Sequence, residues 1–305
     1  METRFLKTLM DVAETGSLAA TARRLNITPS AVVQRIRALE AEIGYPLIRR
    51  VGQSTRPTAE GAAILPGIAQ LIAVEDELRA AASLDRQAGL LRVGVIQSAL
   101  TGLLPELLTR LREEHPNVEL YIQPGTSSDL YAAVAANEID LAILIRPGFA
   151  LPKSVVWRPL RRETMLLIAP DALAGGEPLA MLQREPFIRY DRNHWGGQLV
   201  EHYLRRHRLR VRERYELDSL EAITILVSRG LGVAIVPDWL PPWPANSPVH
   251  RQSLEDAPAR HIGVIWSASS LRRGLIELFA GEAEIVVGHN GWRGEGGEID
   301  RPAAR

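Results

Sequence analysis

The sequence predicts an α/β chain in two parts, a small and mostly helical head followed by a larger body of alternating strands and helices. Three observations carry that prediction. Apolar residues recur at helical spacing three times before residue 45, and a short basic hairpin pattern follows. From residue 91 onward, short apolar runs alternate with helical stretches, the pattern of a sheet covered by helices. The chain has 305 residues, of which 46% are hydrophobic and 24% charged, enough for about two domains and unlike a disordered or low-complexity protein.

Composition excludes several chemistries. With no cysteine, the chain has no disulfide framework, thiolate nucleophile, iron–sulfur cluster, cysteine-bound zinc or thiol redox sensor. Met1-Glu2-Thr3-Arg4 leads directly to Asp11 and Glu14, without the basic and apolar regions of a secretory signal, so the expected location is the cytoplasm. No apolar run reaches the roughly 18 residues of a spanning helix. The formal charge is zero, yet residues 1 to 60 carry nine basic groups against six acidic ones, a net +3 on the head and −3 on the remainder. A basic head on a faintly acidic body favours an anionic partner for the head.

In the head, Phe5, Leu6, Leu9, Met10, Val12 and Ala13 make one short amphipathic helix that stops at Gly16. Ser17 is a good N-cap for a second helix, Leu18 to Leu25, and Asn26-Ile27 closes it as a tight turn. Thr28-Pro29 opens a third helix that runs to Ile43 before Gly44. On it Val32, Ile36, Leu39 and Ile43 form a buried stripe, which leaves Ser30, Val33, Gln34 and Arg37 on the opposite face. Those side chains suit a major groove: Gln can bond adenine and Arg guanine bidentately, Ser reads several base edges, and Val can touch a thymine methyl. Leu47 to Arg56 reads as a hairpin whose arginines can hold phosphates.

The segment from Ala13-Glu14-Thr15-Gly16-Ser17 through Pro29-Ser30-Ala31-Val32, Leu39-Glu40, Pro46-Leu47, Arg50 and Thr58 to Gly61 resembles the winged helix-turn-helix of LysR-type transcriptional regulators. The resemblance implies double-stranded promoter DNA as a partner, and Arg35, Arg50 and Arg56 join Ser30, Val33, Gln34 and Arg37 as DNA-binding candidates. Two residues depart from the family pattern. Val33 stands where a serine is usual and Ile48 where a phenylalanine is usual, and the first predicts a preference for thymine nearby.

From Thr58 to about Arg86 the chain reads as one long helix, bent or interrupted at Pro66-Gly67. Ile64, Gly67, Leu71, Val74, Leu78 and Ala81 fit a heptad, which implies a partner helix and a homodimer, the alternative being packing on the chain's own body. Gln87-Ala88-Gly89 is the expected hinge into the body.

In the body, Leu91 to Ile96, Val118 to Ile122 and Leu141 to Ile145 read as buried strands, with helices from Gln97-Ser98-Ala99 to about Glu114 and from Ser127 to Ala136. A second alternating unit follows: Pro186 to Tyr190, a helix to about Arg206, a helix after Asp218-Ser219, and Gly230 to Pro237. The chain returns through His261 to Trp266 and a helix near Leu271 to Gly281, which suggests two lobes in a mainly parallel sheet with helices on both faces. These lobes resemble the type 2 periplasmic-binding-protein fold that forms the family's effector domain. The expected domains are therefore 1–58, the winged head; 59–87, the dimerisation linker; 88–288, the effector domain, with lobes at about 91–161 plus 262–287 and at 162–261; and 289–305, a flexible tail.

The resemblance places a small effector between the lobes, where strand ends and helix N-termini offer free N–H groups. The candidates are Ser98 and Ala99, Thr126 and Ser128, Arg146, the segment Asp191 to His194 with Arg192 and His194, and Ser219 with Val236. Taken singly, each hydroxyl reads equally as a helix cap, and their convergence on one edge favours a site. Arg146 suits a carboxylate; an internal salt bridge is nearly as good a reading.

No catalytic serine elbow, phosphate loop or zinc-protease pair occurs, and His202 and His207 are too far apart for one helix face, so neither an enzyme nor a cofactor or metal is expected. The alternatives are a cytoplasmic small-molecule-binding protein and an architectural DNA binder without an effector. By resemblance the assembly is a homotetramer that also meets RNA polymerase, whereas the heptad alone supports a dimer. Arg208, Arg210, Arg212 and Arg214 share one face if extended, the mark of a solvated edge.

Overall fold

The computed structural model describes residues 1–52, 54–82, 89–239 and 241–289. The chain divides into two compact units, Met1–Leu84 and Asp85–Arg305.

In the first unit, α1 (Thr3–Thr15), α2 (Leu18–Arg24) and α3 (Pro29–Ile43) precede a hairpin of β1 (Ile48–Val51) and β2 (Ser54–Pro57), then α4 (Ala59–Ala82). The local chemistry sets the boundaries. Ser17 Oγ accepts from the Ala20 amide and Thr28 Oγ1 from the Ala31 amide, each satisfying a helix-start N–H that would otherwise lack a partner. Leu9, Val12, Val32, Leu39 and Leu47 are fully buried and Ile36 nearly so, each worth about 1.5–3 kcal/mol of burial. Glu40 Oε1 accepts from the Leu47 amide at 2.8 Å and so ties α3 to the hairpin.

Thr58 Oγ1 caps α4 by accepting from the Gly61 amide at 2.9 Å. The helix then passes through Pro66 without the interruption that was one of the two outcomes expected there, a bend being the other. Pro66 and Ala62 are both exposed, so the carbonyl that loses its donor lies toward water, where the loss is tolerated. Ile68 is buried in the head, whereas Leu71, Val74 and Leu78 are 45–59% exposed. The expected helix end at Arg86, Gln87-Ala88 of the hinge and 290–305 of the tail lie outside the described residues.

In the second unit, β3 (Gly89–Val95), β4 (Val118–Pro124) and β5 (Leu141–Ile145) are parallel, in the order β4-β3-β5. Between β3 and β4 the expected single helix is two, α5 (Gln97–Gly102) and α6 (Leu104–Glu114), with Pro105 in the first turn of the second. α7 (Ser127–Ala135) links β4 to β5. The chain then enters β6 (Val155–Ala169), whose fifteen residues serve both lobes.

The second lobe contains α8 (Pro178–Arg184), β7 (Pro186–Tyr190), α9 (Trp195–Arg206), β8 (Arg212–Leu217), α10 (Leu220–Ser228), β9 (Ala234–Pro237) and β10 (His250–Ser253). β11 (Ala259–Ser267) returns to the first lobe, and α11 (Arg273–His289) packs there. β11 runs antiparallel to β5 on one side and to the first half of β6 on the other, and the second half of β6 pairs with β9 and β10. The sheet is therefore mixed rather than mainly parallel, because the two connections between lobes are themselves strands. β7 is joined to the segment leading into β9 through an isolated Phe187–Val233 bridge. Gly232 (φ +150°) makes that approach possible, since a Cβ there would lie 2.2 Å from the Pro186 carbonyl oxygen.

Each lobe has its own core, one around Val93, Leu107, Ile143 and Phe279, the other around Phe187, Val200, Ile223 and Ile235. Of the arginine-rich stretch, only Arg212 onward is extended. Arg205 pairs with Glu201 and Arg206 with Asp256 on or near α9, and Arg208 adopts a positive φ of 52° in the turn.

Candidate functional site

Two surfaces concentrate the polar chemistry. On the head, Ser30, Gln34 and Arg37 are exposed along one face of α3, and Val33 beside them is half-buried. Thr28 and Ser30 hydroxyls lie 2.9 Å apart. Arg35 points elsewhere: it is half-buried, and its Nη1 donates to Thr8 Oγ1 at 3.4 Å, toward α1. In the hairpin, Arg49 lies directly across from Arg56, and both are exposed. Like charges opposed across a strand pair destabilise it unless an anion lies between them. Arg37, Arg49 and Arg56 have no ion-pair partner among the described residues. Arg50 Nε donates to the Gly52 carbonyl at 3.2 Å.

In the body, a cleft of about 400 Å³ opens between the lobes. Its first-lobe wall is built from Ile96 to Ser98 with Thr101, from Pro124 to Asp129, and from Ile145. The second lobe supplies Tyr190, His194, Trp195, Asp218 to Glu221 and Trp239, and Arg260 of β11 completes the lining. Ser98, Thr126, Ser128, His194 and Ser219 are thus brought together.

Ala99, Arg146, Arg192 and Val236 are not on these walls. Ala99 and Val236 are buried in the two cores. Arg192 is exposed and donates to Glu213 and Glu216, which hold it on the β8 side. Arg146 is also exposed and stands near His261, whose imidazole burial pushes down, with Arg162 and Arg146 adding to the effect.

The guanidinium of the cleft is Arg260, 2% exposed, and the sequence expectation missed it. Its Nε donates to Glu163 Oε2 at 2.6 Å and its Nη2 to Ser98 Oγ at 2.8 Å. Arg260 and Glu163 are directly opposed in the β11–β6 register. The sequence signal was a charge of each sign at the edge of an apolar strand run, Glu163 before Met165-Leu166-Leu167 and Arg260 before Ile262. Beside it, Tyr190 is buried, which pushes its phenol up. Trp239, also missed, is 2% exposed and stacks on Trp243 at 3.9 Å.

Several hydroxyls have structural duties too. Thr126 Oγ1 caps α7 by accepting from the Asp129 amide and donates to Asp129 Oδ2 at 2.8 Å. Ser219 Oγ caps α10, and Ser127 Oγ accepts from the Ile145 amide. Ser98 makes no capping bond; among the described residues its hydroxyl only accepts from Arg260, so its own proton is left for a ligand.

Among the described residues no helix is long and apolar enough to cross a membrane, and no group of three or more His, Asp or Glu is placed to hold a metal ion.

Residues 3–62 match the family model described as "Bacterial regulatory helix-turn-helix protein, lysR family", and residues 84–284 match "LysR substrate binding domain". The HTH-type transcriptional regulator IlvR of Caulobacter vibrioides is 31% identical over 288 residues, covering 91% of this chain and 97% of that protein. A cysteine mutant of Corynebacterium glutamicum OxyR has a similar structure, with a TM-score of 0.63 at 25% identity over 95% of this chain and 94% of that one. Full-length CbnR in complex with its target DNA gives 0.66 at 22% identity, covering 93% and 100%.

Proposed function

The chain belongs to the LysR family of transcriptional regulators, and we propose that it reads promoter DNA with the exposed face of α3 and answers to a small organic acid held in the cleft of its body. It combines a helix-turn-helix DNA-binding domain with an effector-binding domain. Ser30, Val33, Gln34 and Arg37 face base edges, while Arg49, Arg50 and Arg56 hold phosphates on the flanking backbone. Arg35 supports α3 against α1. The observation that carries this reading is the opposed Arg49–Arg56 pair on the hairpin, together with an Arg37 on α3 that has no ion-pair partner among the described residues, charges that an anionic duplex stabilises.

The exposed Leu71, Val74 and Leu78 of α4 are the seam of a homodimer, which sets two reading helices on two half-sites. The protein works in the cytoplasm as a regulator rather than an enzyme. In the cleft, Arg260 and Ser98 take the effector's carboxylate with the free N–H groups at the start of α7. Binding at 100 times the dissociation constant adds about 2.7 kcal/mol to the folded state. Thermal unfolding of the full-length protein with small carboxylates tests the site. A concentration-dependent rise that disappears in Ser98→Leu supports it, and a rise that survives Ser98→Leu places the acid elsewhere. The base reading is tested by changing the base pairs under Val33, where loss of a thymine methyl weakens binding.

A further inference from the structure

The two walls of the cleft differ in electrostatic character. The first-lobe wall carries Ser98, Thr101 and Ser128 and the N-terminus of the nine-residue α7, with one carboxylate, Asp129, in its first turn and Arg260 at its edge. The facing second-lobe wall carries Asp218 and Glu221, one on each side of the Ser219 cap of α10. Neither carboxylate has a hydrogen bond or ion pair among the described residues. The positive end of the α10 dipole favours acids at this position and offsets only part of their charge. Asp218 lies near enough to the buried Tyr190 to push its phenol further up, which sets that charge against the cleft.

The charge balance of the lining follows. Arg260 is matched by Glu163, and among the described residues the Asp129 carboxylate takes only the Thr126 hydroxyl, so Asp129, Asp218 and Glu221 leave the cleft negative. A ligand with carboxylate groups alone would find donors at Arg260, Ser98 and the start of α7, but within a lining whose carboxylates outnumber its one guanidinium and repel it. We infer that the effector is a zwitterion of the α-amino-acid class, its carboxylate on the Arg260–Ser98 side and its ammonium group on Asp218 and Glu221. Leu220 and Trp239 in the same lining give its side chain an apolar surface. The inference rests on the reading of this cleft as the effector site and adds the second charge to it.

The test uses the full-length protein and thermal unfolding against three sets of probes: the common L-amino acids, the matching carboxylates without the amino group, and the matching amines without the carboxylate. At least one amino acid raises the unfolding temperature with concentration, and its two one-charge analogues bind at least about tenfold more weakly, the scale of a lost charge-assisted hydrogen bond. Asp218→Asn and Glu221→Gln, substitutions at solvent-accessible positions, lower affinity for that amino acid by about tenfold and raise affinity for its des-amino carboxylate. If des-amino carboxylates bind as well as amino acids, or if both variants bind the amino acid unchanged, the zwitterion inference fails and the effector cleft stands. If no probe of any set binds, both fall.

Discussion

Arg37 and Arg56 are both exposed arginines of the head, yet their loss has different consequences. Arg37→Ala removes a base contact, weakens specific binding by about 1–3 kcal/mol and relaxes the preference at one position. Arg56→Ala removes a phosphate contact and weakens binding to specific and random DNA alike, with a shallower salt dependence. Fluorescence anisotropy on both kinds of DNA at two salt concentrations separates the two, and equal losses for Arg37→Ala would remove it from the base readers. Gly232→Ala acts on the body instead. Its Cβ would meet the Pro186 carbonyl, so the Phe187–Val233 bridge opens and stability falls by more than about 1 kcal/mol in urea unfolding. At this scale the sequence reveals residue type better than residue direction. Ser98 is recognisable because it follows a strand and Ser219 because it opens a helix, but nothing in one dimension turns Arg146 away from the cleft or Arg260 into it.

Helix boundaries were legible because caps are local: Ser17, Thr28 and Thr58 accept from amides three residues ahead, within the span a reader can see. Strand direction was not. β6 and β11 pair across almost a hundred residues, and an apolar run carries no mark of whether its neighbour is parallel. The long helix α11 likewise gives no sequence sign that it is tied back to α6. Arg110 Nε donates to Glu282 Oε2 at 2.7 Å, and His115 Nε2 lies 3.2 Å from Glu282 Oε1. Burial pushes the Glu282 carboxyl up, but the hydrogen bonds from Arg110 and His115 outweigh it and hold the group below its ordinary value of 4.5. A carboxyl depressed in the folded state stabilises the fold above that ordinary value and loses the contribution as pH falls through its folded pKa. Glu282→Gln therefore lowers the urea midpoint at pH 7, and the gap from wild type closes progressively as the pH is taken below 4.5. A gap that stayed constant down to pH 3 would remove the ionised carboxylate from the tie.

For the whole molecule, the division into head and body was readable from the change of period, helical before residue 45 and alternating after 91. Assembly was readable only as a demand, since a single chain leaves Leu71, Val74 and Leu78 in water. Replacing Leu71 and Leu78 together with Glu yields monomers in sedimentation and weakens binding to DNA with two half-sites far more than to one half-site. Dimers that persist in this double variant would place the seam elsewhere. An effector moves such an assembly only as far as it prefers one arrangement of it over another.

The fifteen-residue β6, shared by both lobes, sets how such a preference can be expressed mechanically. Two hydrogen-bonded ribbons with a bulge at Ile262–Gly263 behave as a leaf spring rather than as a pin joint. The lobes can twist against each other by small amounts that cost elastic energy and reverse on release, whereas a free swing would tear the ladder. Arg260 and Glu163 face each other on this spring, so a molecule grasping that guanidinium loads the flexing member itself.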